Sequence, residues 1–315
     1  MTKRLNLFLL CLLLAIGGPF YWLLMDSSPW NVPAQPLDIA DLRALAEAQP
    51  GAKPSKVEME VVGWRLLPGN LLTAGSGIKR RMKANIAFIL AVPDQGPVMI
   101  ETGMTAQQSA ANNNDRYDAE AQRRVDAAMR SASLILATHE HPDHIGGLAG
   151  LAGSAEGLTV LTKARLNALQ VPQADSGGQL GWPKSMTIAP SLIGNQPQAA
   201  APGVVVIPAP GHSPGSQMIY VRLNSGAEYL FAGDIASMAA NWQEQRPRSR
   251  LVTDFIARED RRASLAWLAT VARLKKQAPA LHVIASHDFE WLFDPENRSG
   301  VTQVLVMPPN KLAGT

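Results

Sequence analysis

The chain has 315 residues, 46% of them hydrophobic, which is enough to bury a sizeable core and excludes a disordered chain. Its net charge of +3 is small, and the basic residues are scattered apart from one short cluster, Lys79-Arg80-Arg81-Met82-Lys83. A nucleic-acid interface needs many cations on one face, so none is expected; the cluster reads as a solvated hairpin tip, or else a contact for an anionic substrate.

Lys3 and Arg4 precede an uncharged run over 5–25, long enough for a helix to cross a bilayer. The positive flank predicts a cytoplasmic start, with everything after Met25 across the inner membrane in the periplasm. Segment 1–30 is then either a signal anchor, with Phe20, Tyr21, Trp22 and Trp30 at the far interface, or a signal peptide cut after Ala15-Ile16-Gly17. Cys11, the sole cysteine, lies in this run as apolar filler, so no intrachain disulfide forms and thiol catalysis is excluded from the main domain. Residues 31–56 contain Pro33, Pro36, Pro50 and Pro54 and read as a tether. Within it, a short amphipathic helix over 37–48 is expected to dock loosely through Leu37, Leu42 and Leu45.

The main domain, 57–315, alternates strands and helices. Apolar runs predict strands at 57–64, 86–92, 98–101, 134–138, 204–207, 218–223, 229–231 and 281–285, with Pro93-Asp94-Gln95-Gly96 as a hairpin turn. Helical patterns fall at 119–131, 163–169 and 261–276. The order predicts a layered α/β (α+β) architecture with helices outside.

The segment Thr138-His139-Glu140-His141-Pro142-Asp143-His144 follows a predicted strand directly. His139 and His141 are two apart, so an extended backbone would aim both imidazoles to one side. Pro142 ends that geometry, and Asp143 and His144 project toward a neighbouring position before Gly146-Gly147 and the next helix. His212 lies in the Gly/Pro loop after strand 204–207, Asp234 follows strand 229–231, and His287 follows strand 281–285. Each candidate thus sits past the C-terminal end of an apolar strand, where α/β folds gather their sites. His282 is the remaining histidine and reads as structural.

In these segments the chain resembles the metallo-β-lactamase superfamily: a His-x-His-x-Asp-His segment, a Gly-His-x-x-Gly segment, a Gly-Asp and a final His, in that order. The resemblance implies a four-layer αβ/βα sandwich and two divalent cations. It implies His139, His141 and His212 around one, Asp143, His144 and His287 around the other, and Asp234 between them. Spacing alone supports the first four of these; His212, Asp234 and His287 lean on the family. The nitrogen and oxygen donors suit zinc first and also admit iron or manganese. Such a pair activates water and polarises a carbonyl or phosphoryl oxygen, with Asp143 a candidate to carry the proton.

The implied activity is hydrolysis of an ester, lactone or amide carbonyl in a small-molecule substrate, as in homoserine lactonases or β-lactamases. A phosphodiesterase or nuclease of the same superfamily, a mononuclear iron oxygenase and a non-catalytic membrane-tethered binding protein remain open. Two departures stand out. Glu101-Thr102-Gly103 replaces the family's Asp-x-Gly, and Ser237 stands where the lactonases carry a tyrosine. Loops 67–83, 174–195 and 237–254 are expected to select the substrate.

Overall fold

The computed structural model describes residues 3–171, 180–183, 186 and 188–303. Helix α1 (Lys3–Phe20) continues through a π-turn, Tyr21–Met25, and buries none of its side chains. Helix α2 (Ile39–Ala46) starts at Asp38, whose carboxylate accepts from the Ala40 amide. The strands are β1 (Lys56–Pro68), β2 (Arg80–Ala91), β3 (Val98–Ile100), β4 (Arg116–Tyr117), β5 (Leu134–Leu136), β6 (Gln198–Ala201), β7 (Val204–Pro208), β8 (Gln217–Arg222), β9 (Glu228–Phe231), β10 (His282–Ile284) and β11 (Val301–Gln303). The other α-helices are α3 (Gly69–Leu72), α4 (Ala106–Ala111), α5 (Ala119–Ser131), α6 (Pro142–Ala152), α7 (Gly157–Leu161), α8 (Ala239–Gln243), α9 (Arg261–Gln277) and α10 (Phe289–Phe293).

Side-chain alternation sets the layering. In the first sheet, ordered β11-β1-β2-β3-β5 with β4 on β1, Ile86, Phe88 and Leu90 face a central core, while Ala87, Met99 and Ile135 face the other way. In the second, ordered β10-β9-β8-β7-β6, Val204, Val206, Ile219 and Phe231 meet that core from the opposite side. Phe88 and Phe231 touch edge to face at 4.9 Å between the sheets. The outer face of the first sheet packs on α5, α6 and α7; that of the second packs on α2 and α9. Three cores between four layers give the expected αβ/βα sandwich.

Four sequence readings change. Segment 163–169 is not helical: Ile135 donates to the Lys163 carbonyl at 2.9 Å and Arg165 donates to the Ile135 carbonyl at 3.0 Å, so the open edge of β5 captures this backbone instead. The basic cluster is not a loop tip, because β1 and β2 run on together until Pro68 faces Arg80. Arg81 there reaches Glu290 at 2.6 Å. Helix α2 is firmly docked: Leu42 is fully enclosed against the second sheet, and Arg43 donates twice to Glu228, each at 2.7 Å. Strands β6 and β11 escaped prediction, being short and, in β6, built from small residues. Of loop 174–195, residues 174–179, 184, 185 and 187 lie outside the described residues, while Leu180 and Trp182 pack under the α6 side.

Candidate metal centre

Strand β5 stops at Leu136 because the next residues are drawn elsewhere. The Ala137 carbonyl accepts from Gln170 and Gln217, and Thr138 donates its amide to Glu101 at 3.2 Å and its hydroxyl at 2.5 Å. His139 and His141 therefore sit in successive bends, not on an extended strand, yet their rings still converge. Helix α6 begins at Pro142, so Asp143 and His144 occupy its first turn and Gly146-Gly147 lie inside it, earlier than the sequence suggested. Gly147 has a packing reason: a Cβ there would stand 1.9 Å from the Thr102 carbonyl oxygen. His212 follows β7, Asp234 lies in a single 3₁₀ turn after Gly233 (φ +57°), and His287 follows β10. The His287 amide donates to the Ser237 carbonyl at 3.0 Å and its ring Nδ1 to the Ala84 carbonyl at 2.6 Å, which leaves Nε2 free to face inward.

All seven predicted residues come together, in two adjoining groups. His139 Nε2, His141 Nδ1 and His212 Nε2 lie 3.0 to 3.2 Å from one another. That tripod fits a cation held at roughly 2.0–2.1 Å from each nitrogen. In the second group, His144 Nε2 is 3.8 Å from Asp143 Oδ1, and His287 Nε2 is 3.8 Å from Asp143 Oδ2. Asp234 lies between the groups: Oδ1 is 2.8 Å from His287 and 3.6 Å from His144, and Oδ2 is 3.6 Å from His212. Asp234 Oδ1 and His287 Nε2 are buried and face each other, and the buried His144 Nε2 makes no hydrogen bond. A buried polar atom without a partner is costly, and a cation in the space that His144 Nε2, Asp234 and His287 enclose would satisfy it.

The electrostatics suit the same purpose. Burial, reinforced by neighbouring positive groups, holds His139 and His212 well below the usual imidazole range, so both are neutral with lone pairs available. Burial would raise Asp143, but Lys83, His144 and His287 pull it well below the carboxylate range. Asp234 is likewise lowered, by His287 and Arg248 against burial. His144 differs: burial would lower it, yet Glu101 and Asp143 raise it to about 9.

Around these, the sequence singled out Glu101 and Lys83 without placing them, and missed Asn85, Arg248 and Glu259. Glu101 accepts at 3.0 Å from His144 Nδ1 and reaches His139 through Thr138, so the longer side chain still serves as an orienting carboxylate. Lys83 and Asn85 hold Asp143 Oδ2 at 2.6 and 3.1 Å. Arg248 is buried against Asp234 Oδ2 at 3.2 Å, Glu259 at 2.8 Å and the His212 ring. Burial raises the Glu259 carboxyl to about 7 despite that arginine. Ser237 is buried and does not line the cavity beside the centre. His282 stacks on Tyr229 at 4.7 Å, outside the site, as expected. The cavity, of about 400 Å³, joins His141, Asp143, His212 and Asp234 to the cations Arg65, Lys83 and Arg248, and to an apolar wall that includes Leu71, Leu72, Val252 and Ile256.

Comparison with known proteins places the fold and the family. The N-acyl homoserine lactonase of Bacillus cereus is 24% identical over 203 residues, 58% of this chain and 72% of that protein. A solved quorum-quenching N-acyl homoserine lactone lactonase superposes with a TM-score of 0.56 at 18% identity, over 76% of this chain and 94% of its own. A probable metal-dependent hydrolase from Staphylococcus aureus superposes with a TM-score of 0.53 at 15% identity, over 75% and 91%. The profile of the metallo-beta-lactamase superfamily matches residues 83–287, and the chain belongs to that superfamily as a metallo-hydrolase.

Proposed function

We propose that the chain hydrolyses an ester, lactone or amide carbonyl at a centre of two divalent cations. The observation that carries this reading is the convergence of two donor groups, His139/His141/His212 and Asp143/His144/His287, with Asp234 within 3.6 Å of His212, His144 and His287. His139, His141 and His212 would hold the first cation; Asp143, His144 and His287 the second; Asp234 would bridge. Zinc suits the nitrogen-rich set best, and iron or manganese is compatible with it. Bound cations of this kind lower the pKa of water and polarise the bond to be cleaved.

The protein's own groups do the remaining work. Asp143, strongly acidic and held by Lys83 and Asn85, is better suited to ligation and to orienting water than to storing a proton. The lactonases' tyrosine is replaced by the enclosed Ser237, and Arg248 is the cavity cation nearest Asp234 that could meet a substrate oxygen. The lactonase relatives favour a lactone or another acyl compound as the small-molecule substrate. The uncharged helix after Lys3 and Arg4 supports a periplasmic domain anchored in the inner membrane by 5–25, or exported after cleavage.

The test is elemental analysis of the purified chain, followed by assays on lactones, β-lactams, thioesters and phosphodiesters. Turnover of carbonyl substrates, lost in His141→Ala and Asp143→Ala, is expected. Turnover confined to phosphodiesters would transfer the assignment to the nuclease branch, and no turnover by any metal-loaded form would leave only a binding protein.

A further inference from the structure

The apolar helix and the cavity are joined without slack. The Gly75 amide donates to the Leu24 carbonyl at 3.0 Å, which fixes the end of the apolar run to the loop following α3, and α3 supplies Leu71 and Leu72 to the cavity wall. On the other side, Arg250 binds Asp26 at 2.6 Å and lies over the Trp22 ring, and Phe255 meets Trp22 edge-on at 6.0 Å. Residues 251–256 form a π-turn that supplies Val252 and Ile256 to the same cavity.

Length fixes where a bilayer would lie. The 23 residues Lys3–Met25 extend roughly 34 Å as a helix, against about 30 Å of hydrocarbon. One lipid boundary therefore falls close to Trp22. At that level the domain exposes Phe255 (62%), which meets Trp22, and the adjoining Ile256 (68%). Large apolar side chains clustered at that exposure mark a contact surface, and its continuity with an apolar helix of bilayer length makes lipid the fitting occupant.

We propose that the cavity opens toward the membrane surface and admits an amphiphilic acyl ester or lactone whose chain is drawn from the lipid phase past Phe255 and Ile256. The substrate half of this inference rests on the hydrolase reading above; the orientation half does not. The exposed Ile256 is both a wall of the cavity and part of the apolar rim, so an acyl chain can pass from lipid to the centre along Val252, Leu71 and Leu72 without crossing water.

The test uses the full chain in nanodiscs of phosphatidylethanolamine and phosphatidylglycerol. In a Cys11→Ala background, bimane is attached at Ile256→Cys or, as control, at Leu158→Cys on exposed α7. Brominated acyl chains should quench the label at 256 at least about twofold more than at 158; equal quenching overturns the orientation whatever the activity. In the second arm, Phe255→Ser should lower the ratio of kcat/KM for p-nitrophenyl dodecanoate over butanoate about tenfold. An unchanged ratio with metal-dependent butanoate hydrolysis overturns the substrate assignment and leaves the hydrolase standing. No hydrolysis of either ester overturns the substrate assignment, while the lactone, β-lactam and thioester assays above decide the hydrolase reading and the label decides the orientation.

Discussion

Glu101 Oε1 stands 3.0 Å from His144 Nδ1, reaching it from a backbone held at φ +65°. A non-glycine residue in that region costs on the order of 1–3 kcal/mol, and such strain persists where the surroundings enforce it for a purpose. Here the Thr138 amide and hydroxyl fix the carboxylate while it orients the ring. Glu101→Gln keeps the shape and removes the charge. Cation affinity is expected to fall about 10- to 100-fold, read by competition with a chromophoric chelator, with the far-ultraviolet circular dichroism unchanged. An unaltered affinity would remove Glu101 from the site's supporting groups.

The same pair predicts proton release. With its pKa raised to about 9, His144 carries a proton at pH 7.5 in the metal-free protein, and ligation through Nε2 requires the neutral ring. Metal binding at pH 7.5 should therefore release close to one proton per chain from this group, and progressively less as pH rises through about 9. Calorimetric titrations in buffers of different ionisation enthalpy measure it; pH-independent release would contradict the His144 assignment.

The two cation positions should separate by mutation. His212→Ala removes a donor of the first group and His287→Ala a donor of the second, so each variant should retain about one metal ion where the parent holds about two. Elemental analysis after gel filtration reads the ratio. A parent holding one ion would rule out the dinuclear centre.

Arg248 and Glu259 form a buried ion pair at 2.8 Å. Arg248→Met removes the cation shared by Glu259 and Asp234 and should cost about 3–5 kcal/mol in denaturant unfolding of the metal-free protein; Glu259→Gln leaves Arg248 paired with Asp234 and should cost less, and the double variant should cost clearly less than the sum. Additive losses would mean that the two groups do not rely on each other.

Gly147→Ala would drive a methyl into the Thr102 carbonyl and shift the turn carrying Asp143 and His144, for about 1–3 kcal/mol of stability and roughly 2–4 °C of Tm per kcal/mol. Gly153→Ala, whose nearest neighbour would be 3.9 Å away, should change Tm little. Equal effects in a thermal scan would refute the packing argument.

Much of this was readable from residue order. Continuous apolar runs at 86–90 and 204–207 marked strands buried on both faces, and so a layered fold; the clustering of His139, His141, Asp143 and His144 behind an apolar strand pointed to a site. What stayed hidden depended on partners far away in the chain. The end of β5 is decided by Glu101, Gln170 and Gln217, and the non-helical course of 163–169 by a strand edge that no local pattern reveals. Arg248 and Glu259 carry no local signal, since only tertiary folding buries them beside His212.

Arg261 donates to the carbonyls of Asp26 and Ser28 on one side, and to the Arg248 carbonyl and Thr253 hydroxyl on the other. One guanidinium thus staples the exit of the apolar helix to the segment framing the catalytic mouth. Proteolytic processing after Gly17 would spare every one of these bonds, so a clipped form would carry the same fastening, and its remaining short stub, Gly18 to Met25, would still offer the protein a greasy foothold.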